Sequence, residues 1–160
     1  MRAVFIAGLA AVLVAGCSGH KQTYVTQQGT TTVETNNNNQ TVTVNSKEGT
    51  STYGKGAVDP AKLGIPVYPG ATTTEGGISG KTAQGAGEIV ALSTKDPFDK
   101  VYAWYQQHMP AGSEGMHMSN AGSSVATFKI GKENDKEQRS VMISSEKDKT
   151  SILLSHSVKP

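Results

Sequence analysis

Apolar and polar positions alternate most regularly in the last third of the chain. Ser124 to Ile130, Arg139 to Ser145 and Thr150 to Ser157 each carry aliphatic or aromatic side chains at every second residue, the period of a strand with one buried face. Their connectors, Gly131 to Gln138 and Glu146 to Lys149, are short and charged, which predicts an antiparallel meander. Matching apolar faces sets Ile130 opposite Val141, Phe128 opposite Ile143, Ile143 opposite Ile152 and Val141 opposite Leu154, so that one side collects them all. The same register puts Met142 opposite Leu153 on the other side, among serines. That pair is expected either to be covered by the Ile65 to Tyr68 segment, the favoured arrangement, or to stand open to a partner.

Upstream, Gly87 to Thr94 is apolar on both faces at its centre and reads as a further strand. The period then changes. Phe98, Val101, Tyr102, Tyr105 and Met109 recur at helical spacing over Pro97 to Met109, with Asp96 placed to cap, Pro97 suited to the first helical position and Asp99 in the first turn. Pro110 and Gly112 stop this helix. Trp104 lies about 120° from the centre of its apolar stripe, so it is expected at the rim as a lid over the sheet edge, or as an aromatic anchor for a partner or glycan. Ile65-Pro66-Val67-Tyr68-Pro69-Gly70 reads as an extended entry segment, because each proline disfavours helix in the residue before it. Together these elements predict an α+β domain over residues 57–160, with one main helix packed on an antiparallel sheet of about four strands.

Residues 20–55 have a different composition, with 10 Thr, 5 Asn and 4 Gln against four Val as the only aliphatic residues. So little apolar surface predicts a flexible, solvated tether over residues 17–56. A second reading is a hairpin, since Thr31 to Thr35 and Gln40 to Val44 alternate around Asn36 to Asn39.

The first twenty residues set the compartment. Met1 and Arg2 precede 14 uncharged, mostly apolar residues, Ala3 to Gly16, followed by Cys17. As a helix these would rise about 21 Å against a hydrocarbon core of about 30 Å, too short for a comfortable span. Basic start, short apolar core and small-residue end follow the plan of a signal peptide, here residues 1–16. The box Val14-Ala15-Gly16-Cys17 resembles the lipobox of bacterial lipoproteins. That resemblance implies cleavage before Cys17, diacylation of its sulfur and anchoring of the chain in a lipid bilayer; Ser18 in the second mature position implies outer-membrane sorting, facing the periplasm, in an organism with two membranes. The Ile65 to Ala71 entry, followed by Asp96-Pro97-Phe98-Asp99-Lys100-Val101-Tyr102 opening a helix, is similar to small uncharacterised bacterial envelope proteins, and this similarity brings no activity with it.

Charge and candidate chemistry narrow the function without supplying one. Residues 57–160 hold 11 Lys plus Arg and 11 Asp plus Glu, a balance unsuited to the clustered cations that nucleic acid demands. One Cys excludes an internal disulfide and four-Cys zinc frameworks. Glu75 to Thr82 imitates a phosphate loop but has Glu75 where the first glycine belongs. Ala111-Gly112-Ser113-Glu114-Gly115 only loosely imitates a nucleophile elbow, and His156 lies beside Ser155 and Ser157, which point to the other face of a strand. A small hydrolase is therefore the weakest alternative, and no enzyme activity and no cofactor is expected. Copper handling is the second alternative: His108 and Met109, then Met116, His117 and Met118, offer the thioether and imidazole donors that suit Cu(I). The leading expectation is an envelope lipoprotein of binding or structural role, engaging an envelope protein or glycan through Trp104, Met142 and Leu153.

Overall fold

Alternation extends further along the chain than the expected tether allows. The computed structural model describes residues 11–16, 19–26, 29–36, 40–120 and 122–160. Five strands precede the first turn of 3-10 helix at Pro60–Lys62: β1 Ala11–Gly16, β2 Gly19–Thr26, β3 Gly29–Asn36, β4 Thr41–Ser46 and β5 Gly49–Gly54. Then come β6 Thr72–Thr82, β7 Gly85–Thr94, the helix α1 Phe98–His108, and β8 Glu114–Asn120, β9 Ser123–Ile130, β10 Glu137–Glu146 and β11 Lys149–Val158. All pair antiparallel in one sheet of order β1-β2-β3-β4-β5-β6-β7-β11-β10-β9-β8.

This corrects the predicted architecture. Among the described residues the fold is a β-rich sheet of eleven strands with a single short α-helix, rather than one main helix on about four strands behind a flexible tether. The physical reason lies in where each strand finds its partners. A strand added to an existing sheet edge satisfies its backbone groups there and needs no apolar face of its own. Threonine, β-branched, suits such a strand. Thr43 and Thr52 share a hydroxyl hydrogen bond of 3.0 Å across β4 and β5, Thr50 donates to Asn45 at 2.8 Å, and Lys21 meets Glu34 at 2.7 Å across β2 and β3. Cross-strand pairs of this kind contribute about 0.2–1 kcal/mol each. The hairpin reading of residues 31–44 corresponds to β3 and β4, with Thr35 opposite Val42.

The sheet has a covered and an open face. On the covered face, Val141 and Ile143 of β10 pair with Leu154 and Ile152 of β11, which pair with Val90 and Leu92 of β7. The matched register of β10 and β11 is the observed one, whereas β9 slides by two residues, placing Phe128 opposite Val141 and Ala126 opposite Ile143. A shift of two keeps every side chain on its face. Phe98, Val101 and Tyr105 of α1 close over this layer, and Val58, Leu63, Ile65 and Tyr68 complete the same core. The Ile65 to Tyr68 segment therefore lies on the helix side and does not cover Met142 and Leu153, because its apolar residues find their partners beneath the helix.

The start of α1 also differs from expectation. Pro97 occupies the cap position and makes no side-chain cap. The Asp96 carboxylate instead accepts from the Tyr68 hydroxyl at 2.7 Å and from Lys100 Nζ at 3.0 Å. Thr150 donates its hydroxyl to the Asp96 carbonyl at 2.7 Å. This cluster ties the entry segment, the helix start and the β10–β11 turn together.

Candidate functional site: the open face of the sheet

Strand registers determine what the open face presents. Ile89, Ile78, Tyr53 and Val42 stand directly opposite one another across β7, β6, β5 and β4, forming a continuous apolar ridge perpendicular to the strands. Each is between 36% and 49% exposed. Met142 and Leu153 pair across β10 and β11 and extend this apolar surface, with Met142 40% exposed. Beside the ridge, Gly87, Gly80 and Ser51 align across β7, β6 and β5 as a shallow trough. Most charged strand residues lie on the other side: Lys21, Glu34, Lys81, Glu88 and Arg139 share the covered face by register, whereas Lys129 of β9, opposite Ser140, and the end pair Glu146 and Lys149 stand at the margins of the open face. Between these margins the surface is uncharged and partly apolar, which has the character of a contact area rather than of a solvated face.

Trp104 does not join this surface. It sits on the helix side, partly buried against the core, with its ring edge-on to Tyr68 at 5.4 Å and stacked on His108 at 4.0 Å. Two partner-binding candidates, Met142 and Leu153, are thus together, and Trp104 is on the opposite face.

The Met and His run is likewise divided. Met116 pairs with Thr127 and Met118 with Val125 on the open side, while His117 pairs with Ala126 on the covered side. There its ring stacks on Tyr102 at 4.1 Å. His108 directs Nδ1 to the Trp104 carbonyl at 2.7 Å, and Met109 is buried in the core. Among the described residues no group of three His, Cys, Asp or Glu gathers to hold a metal. Exposure predicts different chemistry along this run: dilute peroxide should convert Met116, Met118 and Met142 to sulfoxides well before Met109. Peptide mapping after timed oxidation reads the order, and early loss of Met109 would contradict its buried position.

Other polar groups are held in structural roles. His156 meets Glu137 through Nε2 at 2.8 Å and Glu88 through Nδ1 at 3.4 Å, so both ring nitrogens face carboxylates and neither faces a hydroxyl. Residues Glu75 to Thr82 form most of β6, an extended strand rather than a loop curled around phosphates. An open groove of about 1010 Å³ lies at the end of the sheet, between Gly70, Lys95 and the turn Glu146 to Lys149. Its charges largely neutralise one another, with Lys149 on Glu146 at 3.1 Å and Lys100 on Asp96 at its edge, and its Thr94 hydroxyl accepts from the Asp96 N–H at 3.2 Å.

Three tyrosines on the helix side of the sheet are weaker acids than a free phenol. Burial, aided by the adjacent Asp96 carboxylate, pushes the Tyr68 phenol from 10.0 up to about 12. Burial raises Tyr105 further, its hydroxyl lying near the Tyr68 backbone without a hydrogen bond of good geometry. Tyr102 is raised by donating to Glu114 at 2.7 Å. Asp96 is lowered by the Tyr68 hydroxyl and then by Lys100. Because the folded state favours neutral Tyr68, its contribution to stability is complete below pH 10 and is lost as pH rises through about 12. The Asp96 contribution is present above the ordinary carboxylate range and is lost as pH falls through its lowered value. Phenolate absorbance during alkaline titration should therefore rise in a late step that coincides with unfolding; complete ionisation of all five tyrosines with tertiary structure intact would contradict this packing.

The chain matches no protein-family model, no curated protein and no solved structure.

Proposed function

We propose that this protein is a bacterial envelope lipoprotein, anchored through acylated Cys17, which acts as a binding or structural module by presenting the open face of its sheet. The observation that carries the anchoring is the ordered leader: Arg2, the apolar run Ala3 to Gly16, and the box Val14-Ala15-Gly16-Cys17. Cys17 and Ser18 lie outside the described residues. Cleavage before Cys17 removes β1, which pairs with β2 alone, and leaves the pairing of β3 to β11 untouched. Two or three acyl chains, at about 0.8 kcal/mol per buried methylene, hold a protein on a bilayer without any spanning helix. Among the described residues no helix is long and apolar enough to cross a membrane. Ser18 favours the periplasmic side of an outer membrane, in a cell that has one.

The test is fractionation combined with intact mass. The mature chain should begin at Cys17 with acyl chains attached and sediment with membranes. Cys17→Ala should move it to the soluble fraction with an unchanged circular dichroism spectrum. A Cys17→Ala protein that still sediments with membranes, or a mature chain without acyl mass, would overturn the anchoring.

A further inference from the structure

We infer that the partner of the open sheet face is a second copy of this chain, packed face to face, and this inference rests on the reading of that face as the binding surface. Charge comes first. Between the ends of the strands, the described outward positions of the seven neighbouring strands β3, β4, β5, β6, β7, β11 and β10 carry no Asp, Glu, Lys or Arg, and Lys129 of β9 stands beyond them. A charged or strongly polar partner finds nothing there to pair with, whereas the face can meet its own kind without burying a charge.

Shape points the same way. The ridge Ile89, Ile78 and Tyr53 runs parallel to the trough Gly87, Gly80 and Ser51, two residues further along the same three strands. A two-fold axis lying in the interface midway between ridge and trough brings Ile89 over Gly87, Ile78 over Gly80 and Tyr53 over Ser51 of the second copy, and the reverse. Such an isologous contact closes on itself. Stacked sheets pack about 10 Å apart by interdigitating side chains in this way.

The two glycines add an argument of their own. Neither Gly80 nor Gly87 has a positive φ, and a Cβ would meet only Ser51 Oγ at 3.7 Å or the His156 carbonyl at 3.9 Å, ordinary contacts. Among the described residues nothing requires a glycine at either place, although glycine in a strand costs about 0.5–1 kcal/mol relative to alanine. A second backbone approaching closely accounts for both. Size is adequate too. Six strands, β4 to β7 with β11 and β10, at about 4.8 Å spacing and about six residues at roughly 3.3 Å give roughly 600 Å² per copy. The resulting total of about 1,200 Å² reaches the lower end of stable specific interfaces.

Crosslinking in intact membranes tests this on the whole protein. If Cys17 is acylated, an introduced Ile78→Cys is the chain's sole free thiol. A short bis-maleimide should then give a band of twice the protomer mass, and Lys81→Cys, on the opposite face, should give none. Adding Gly80→Val, which fills the trough without backbone strain, should reduce the Ile78→Cys dimer band at least about tenfold, while Lys81→Glu leaves it unchanged. Sedimentation of the purified Ile78→Lys protein should show monomers where the wild type is dimeric. A band joining residue 78 to a different protein would overturn the second copy and uphold the binding module. Equal dimer crosslinking from residues 78 and 81, or from 78 with and without Gly80→Val, would overturn the face-to-face geometry. Maleimide labelling of the wild-type chain in the same membranes reports separately on anchoring, since a reactive Cys17 means that acylation has failed.

Discussion

Phe128→Ala should lower unfolding stability by about 3–5 kcal/mol, the range for emptying a buried aromatic site. Phe128 is 2% exposed and stands at the junction of sheet and helix, its ring 5.9 Å from Tyr102 and 6.1 Å from Tyr105. Neither tyrosine can collapse into the space without dragging α1, because Tyr105 is wedged against Trp104 at 4.9 Å and Tyr102 is fixed to Glu114. Ile78→Ala, in contrast, removes a half-exposed side chain from the open face and should cost under about 1 kcal/mol when measured at concentrations where the protein is monomeric. Urea denaturation of the two variants, followed by tryptophan fluorescence, compares them directly. Equal losses would mean that the open face is as deeply packed as the helix side, and would remove the basis for treating it as a surface.

That contrast between the faces also explains how much could be read from the sequence. The pairing of Met142 with Leu153 is legible because Val141 and Ile143 of β10 and Ile152 and Leu154 of β11 form an apolar pair on one face of each strand, and aligning those pairs sets the register. The ridge is not, since it needs β5 and β6. Gly49 to Gly54 has no apolar alternation at all, and Thr72 to Thr82 contains three glycines that resemble loop punctuation. Each of those glycines has its own place. Gly76 forms a bulge at φ +92°, Gly77 leaves room for Val58, and Gly80 lies in the open trough. The tether reading rested on the rule that a segment must bury apolar surface to become ordered, which holds for an isolated domain. It fails for strands laid successively on a preformed edge, where ladder hydrogen bonds and threonine pairs substitute for burial. Trp104 was placed at the helix rim by its angle, but which side of the sheet receives the helix bears on its role, and that followed only from the location of Met142 on the other side. Cys17 remains a residue whose role is argued from its leader alone.

Gly76→Val should separate the fold into its two parts. At φ +92° a non-glycine residue pays about 1–2 kcal/mol in backbone strain. The contact is worse than the strain: a Cβ at position 76 would stand 2.4 Å from the Gly54 carbonyl carbon and 2.7 Å from the Lys55 nitrogen. Backbone cannot rotate away as a side chain can, so the end of β5 must leave β6. Strands β2, β3 and β4 reach the remainder of the sheet only through β5, and they should therefore detach with it. The core beneath α1 draws its buried residues from positions 58 to 154, so it should persist. Limited proteolysis of the variant should accordingly cut within residues 19–55 and leave a resistant fragment containing residues 57–160, with the environment of Trp104 unchanged in near-ultraviolet circular dichroism. Gly80→Ala, at an ordinary φ and with room for its Cβ, should leave the digestion pattern of the parent chain. Cleavage of the Gly76→Val protein throughout its length would show that β2 to β5 are needed to hold the helix-covered core. An unchanged pattern would show that β5 does not depend on its contact at Gly76. If the expected partition is found, the threonine-rich strands are an extension built on the edge of a self-sufficient core, and the ridge, which spans β4 to β7, crosses the junction between them.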